Sequence, residues 1–84
     1  MPTPEDVETF LRQGMQCEHV EVAGDGHHFE AIIVSPQFRG KTRVQQHQVV
    51  YRALGHRMQS EIHALSMQTL TPEEWMARQG GARG

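Results

Sequence analysis

The stretch CEHVEVAGDGHHFEAIIVS, residues 17–35, sets the architecture. Residues 17–23 alternate, with Val20 and Val22 to one side and His19 and Glu21 to the other, the period of a half-buried strand. Gly24-Asp25-Gly26 is a turn signal, because glycine enters left-handed backbone freely and aspartate caps turns with its own carboxylate. Residues 28–35 then bring Phe29, Ile32, Ile33 and Val34, so the two runs form an antiparallel hairpin. Pro36 has no N–H to give to a ladder and ends the second strand.

On the N-terminal side of the hairpin, Thr3 followed by Pro4, Glu5 and Asp6 starts a helix: a hydroxyl cap, proline in the first turn, and acids at the positive end of the dipole. Val7, Phe10 and Leu11 make its apolar face, and Gly14 stops it.

On the C-terminal side, residues 36–41 form a loop and Thr42 caps a helix predicted from Arg43 toward Met58. Val44, His47, Tyr51, Leu54 and Met58 recur at three- and four-residue steps, which predicts one buried stripe. Gly55 costs that helix about 1 kcal/mol relative to alanine and predicts a bend or frayed end. Residues 62–70 make a third strand, and Thr71-Pro72-Glu73-Glu74 repeats the helix-start chemistry ahead of a short helix with Trp75 and Met76. The order is helix, strand, strand, helix, strand, helix. It predicts one α+β domain over residues 1–79, a three-stranded mixed sheet with helices on one face, followed by a glycine-rich tail at 80–84.

A chain of 84 residues holds one core and leaves little room for an enclosed active site. No apolar run approaches the roughly 20 residues of a membrane span, and the first residues lack the basic start and apolar middle of a signal peptide. A cytoplasmic protein is expected. Cys17 is the one cysteine, so any soft-metal chemistry leans on histidine. The net charge is only −2, yet residues 31–60 contain Arg39, Lys41, Arg43, Arg52 and Arg57 and no acid, which predicts a basic face. No nucleophile with a nearby base is apparent, and an enzyme is not expected.

The second strand, the long helix and the third strand form a crossover, a connection that joins parallel strands. If the two strands are neighbours, His27 and His28 meet His63 at one rim of the sheet. Imidazole binds iron, zinc and copper, but two histidines rarely hold a metal alone, so a partner must complete the set. From the residues alone, His63 also reads as a partly buried histidine sharing a strand face with Leu65 and Met67, and His27 and His28 as a solvated turn. Alternation allows only one of the turn pair to face a given neighbour; His28 is the first choice and His27 the reserve. His47 reads as packed or capping, and His19 and His56 as solvated.

Gly24-Asp25-Gly26-His27-His28-Phe29, Phe38-Arg39-Gly40, Val49-Val50-Tyr51, Ile62-His63-Ala64-Leu65-Ser66 and Thr71-Pro72-Glu73-Glu74-Trp75 together resemble the BolA family, in its IbaG or YrbA-like bacterial branch. The resemblance covers residues 3–76 and implies a class II KH-like fold. It also implies a monothiol glutaredoxin partner carrying Cys-Gly-Phe-Ser, and a bridging 2Fe-2S cluster shared with glutathione. The family's constant histidine falls on His63, and its variable histidine-or-cysteine ligand in the turn at His27 and His28. By the same implication the isolated chain carries no cofactor, is a monomer or weak homodimer, and serves cluster trafficking or iron and stress sensing.

The family is also linked to transcription control, which gives an alternative: a DNA-binding regulator in which Arg39, Lys41, Arg43, Arg52 and Arg57 contact phosphates. Against it stand the mildly acidic chain and Gln46-His47-Gln48, where many relatives carry arginines. RNA binding of the KH kind needs a GxxG loop between helices, and the one such spacing, Gly81 to Gly84, lies in the tail.

Overall fold

The computed structural model describes residues 2–62 and 64–82. Its elements are α1 (Pro4–Gly14), β1 (His19–Gly24), β2 (His28–Val34), a 3-10 turn (Pro36–Phe38), α2 (Arg43–Leu54), α3 (Arg57–Ser60), β3 (Ala64–Leu70) and α4 (Pro72–Ala82). Three helices open on the same reciprocal cap. The Thr3 hydroxyl accepts the Asp6 N–H at 3.1 Å while the Asp6 carboxylate accepts the Thr3 N–H at 2.9 Å. Thr42 with Gln45 and Thr71 with Glu74 repeat the arrangement, each satisfying two amides that a helix start leaves without partners.

The sheet order is β1-β2-β3, with β1 antiparallel and β3 parallel to β2. Val20 faces Ile33 and Val22 faces Ala31 across the hairpin, while Phe29 faces Leu65 and Ala31 faces Met67 across the parallel pair. Alternation therefore puts these side chains on one face, where they join Val7 and Leu11 of α1, Val50 and Leu54 of α2, Phe38 and Ile62 in the core. His28, Glu30, Ile32, Ser66 and Gln68 fall on the other face, which is an open groove. α4 reaches over the far end of that face: Trp75 stacks on His19 with ring centroids 4.7 Å apart, and the Arg78 guanidinium donates to Gln68 at 3.0 Å.

Several expectations are corrected. The buried side of α2 is Gln46, Val50 and Leu54; Val44 and Tyr51, expected inside, are 67% and 44% exposed. Polar bonding decides this rotation of the helix. The Gln46 amide nitrogen donates to the carbonyls of Phe38 and Lys41, both at 3.2 Å, and its oxygen accepts from the Thr69 hydroxyl at 2.7 Å. One glutamine thus ties the turn after β2, helix α2 and strand β3. The interruption expected at Gly55 is present: α2 stops at Leu54, short of Met58, because Gly55 takes φ of 60°, a left-handed conformation open to glycine, and the chain restarts as α3.

At the strand ends, Ile62 closes α3 by donating to the Arg57 carbonyl at 2.8 Å instead of opening the third strand. Cys17 lies before β1, and Ser35 leaves β2 to cap the 3-10 turn through its hydroxyl, which accepts the Gln37 N–H at 3.0 Å. α4 continues to Ala82, into the segment read as a tail, and takes in Gly80 and Gly81, each at a cost of about 1 kcal/mol relative to alanine.

Candidate functional site

The parallel register sets His28 opposite Ala64, so the N-terminal ends of β2 and β3 stand side by side. The turn leading into this rim is held by one carboxylate. Asp25 Oδ1 accepts the backbone N–H groups of His27 and His28, each at 2.9 Å, and the Asp25 N–H returns to the His28 carbonyl at 3.3 Å. The His28 amide first, and then the His27 amide, hold the Asp25 carboxyl below its ordinary range. Both histidines are exposed, and His28 Nε2 lies 3.3 Å from the Ser66 hydroxyl. Ser66 was not singled out from the sequence. The parallel pairing locates it, two residues beyond the position opposite His28 and on the same face.

His63, the principal sequence candidate, immediately precedes Ala64 and lies outside the described residues. Among the described residues no group of three or more His, Cys, Asp and Glu side chains is placed to hold a metal ion.

The other candidates serve the fold. Cys17 Sγ sits near the carbonyls of Met15 and Leu11, at 3.7 and 3.9 Å, and burial pushes its thiol up, with Arg12 opposing in part. That disfavours the thiolate a metal or electrophile requires. His19, expected solvated, is half-buried between Trp75 and Glu21, its Nε2 2.7 Å from the Glu21 carboxylate. The signal for it was available: a histidine and an acid two residues apart share a strand face. His47 is partly buried, and its Nε2 has no hydrogen-bond partner among the described residues. His56 is exposed at the start of α3.

The five basic residues do not form one track. Arg39 makes a two-pronged ion pair with Glu73, which raises the guanidinium and lowers the carboxyl, each mainly through their shared hydrogen bonds. Arg57 lies over the Phe10 ring, 4.2 Å from its centroid. Arg43 and Arg52 are separated by about two and a half helical turns and so leave opposite sides of α2. Lys41 and Arg52 do converge, on a cleft beside Gly14.

The order of elements, the parallel β2–α2–β3 crossover and the histidine-bearing hairpin define a small α+β domain with a three-stranded mixed sheet. A family model described as BolA-like protein matches residues 3–74, and the chain belongs to the BolA family. It is 37% identical over 71 residues to the acid stress protein IbaG of Escherichia coli strain K12, covering 83% of this chain and 84% of that one. It is 40% identical over 60 residues to the DNA-binding transcriptional regulator BolA of Haemophilus influenzae, covering 71% and 58%. Among solved structures, a bolA protein homologue from Coxiella burnetii superposes with a TM-score of 0.80 at 44% identity, covering 90% and 99% of the two chains. No helix among the described residues is long and apolar enough to cross a membrane.

Proposed function

We propose that this BolA-family protein is a non-enzymatic cytoplasmic adaptor that co-ligates a 2Fe-2S cluster with a Cys-Gly-Phe-Ser monothiol glutaredoxin and its glutathione. His63 and His28 are the ligands on this side, with His27 the alternative in the turn. The observation that carries the reading is the pairing of His28 with Ala64, the neighbour of His63 in the chain. The donor chemistry fits: the His27 and His28 imidazoles are exposed at the rim, and in this reading the glutaredoxin and glutathione complete the donor set.

Within this reading the chain's residues prepare the site. Asp25 fixes the turn through the two histidine amides, so the rings are presented from an ordered backbone. The Ser66 hydroxyl lies 3.3 Å from His28 Nε2, a contact that orients the ring. A cluster bound here would supply one-electron and cluster-transfer chemistry, with a potential raised by nitrogen ligation. Because a protonated imidazole cannot bind metal, acid weakens the hold, in keeping with a role in iron or stress sensing and with the acid-stress name of the Escherichia coli relative. Native mass spectrometry of the anaerobic mixture tests the adaptor: His63→Ala should lose the cluster-bridged complex and keep the wild-type far-ultraviolet circular dichroism. A bridged complex that survives the substitution overturns it.

A DNA-binding role is the second reading, favoured by the name of the Haemophilus influenzae relative. It predicts duplex retention that falls steeply with salt and is lost on charge reversal at Arg43 and Arg52.

A further inference from the structure

The C-terminal end of α1, the 3-10 turn and the flank of α2 enclose an open cleft of about 280 Å³. Met15, Val49 and Ala53 make an apolar floor, and Gln37, Lys41 and Arg52 make the rim. Gln37 is already oriented: its side-chain oxygen accepts the Gln16 N–H at 2.7 Å, which turns its amide nitrogen into the free end. Lys41 and Arg52 have no ion-pair partner among the described residues, whereas Arg12 pairs with Glu8 and Arg39 with Glu73. Among the described residues no acid lines the cleft.

Two unpaired cations and an amide donor around an apolar floor are complementary to carboxylates carried beside an aliphatic group. We propose that this cleft binds an acidic segment of a partner protein, with an aliphatic side chain on Met15 and Val49 and carboxylates against Lys41 and Arg52. A nucleic-acid backbone is a poorer complement, since it offers phosphates in a line and nothing for the floor, while Arg43 leaves the far side of α2. The site is independent of the cluster reading: Gln37 and Lys41 follow the C-terminal end of β2, and His28 opens its N-terminal end.

The full chain, labelled with 15N, is titrated with a short capped peptide of alternating leucine and glutamate, with its glutamine counterpart, with inorganic phosphate and with duplex DNA. The expected result is saturable shifts at the amides of Gly14, Gln37, Lys41, Val49 and Arg52 with the acidic peptide alone. The double variant Lys41→Gln, Arg52→Gln should weaken that binding by about tenfold or more at an unchanged melting temperature. Three results overturn the proposal: shifts scattered away from the cleft, the same shifts from phosphate or DNA at equal or better affinity, or a double variant that melts lower and binds the peptide normally. In the last case the two cations serve the negative end of α1 instead.

Discussion

Gly14 of α1 lies directly against the backbone of Ala53 in α2: a Cβ at position 14 would stand 2.8 Å from the Ala53 carbonyl carbon and 2.9 Å from its Cα. The two helices approach through a gap that only glycine leaves. Gly14→Ala, which in an open helix gains about 1 kcal/mol, should here destabilise the protein by about 1–3 kcal/mol by forcing α1 from α2. Urea denaturation measures it, and a variant as stable as wild type would show that the helices do not pack this closely.

The contact between Gln46 and Thr69 makes a second prediction. Thr69→Val keeps the shape of the core and removes the hydroxyl that donates to the buried Gln46 oxygen at 2.7 Å. An unsatisfied buried acceptor costs about 1–3 kcal/mol, and denaturation midpoints should fall accordingly. A neutral substitution would mean that Gln46 rests on its two carbonyl bonds alone.

Asp25 gives a prediction about pH. Its folded-state carboxyl is held below the ordinary value of 3.8 by the His28 and His27 amides. A depressed value means the turn is stabilised above pH 3.8 and that this contribution is lost as the pH falls through the folded value. The amide protons of His27 and His28 should therefore shift together on acidification below that point, and Asp25→Ala should produce the same shifts at neutral pH. Amides that stay put in both experiments would remove Asp25 from the organisation of the rim.

Much of this was legible in the sequence, because the signals were local. The reciprocal caps at Thr3, Thr42 and Thr71 are written in threonine followed three residues later by a side chain able to return the bond. The crossover rule gave the parallel direction of β3 to β2, while their adjacency, which places His28 beside Ala64, was conditional until the register showed it. What failed depended on tertiary choice. α2 carries two candidate stripes, and apolar counting chose Val44 and Tyr51, where the fold buries Gln46 for its three hydrogen bonds. His19 read as solvated because its cover, Trp75, arrives from α4 at the far end of the chain. The reading of His63 rests on chain position and family resemblance, and Ser66 needed the strand register.

The most direct test of the cluster reading is an anaerobic titration. This protein is mixed with a Cys-Gly-Phe-Ser glutaredoxin, glutathione, iron and sulfide, and visible absorption and circular dichroism are recorded for wild type, His63→Ala, His28→Ala and His27→Ala. The wild type should change the spectrum of the glutaredoxin-bound cluster and His63→Ala should leave it unchanged, with one of the two turn variants behaving like His63→Ala. A spectrum that responds equally to wild type and His63→Ala, or to neither, would contradict histidine ligation by this chain.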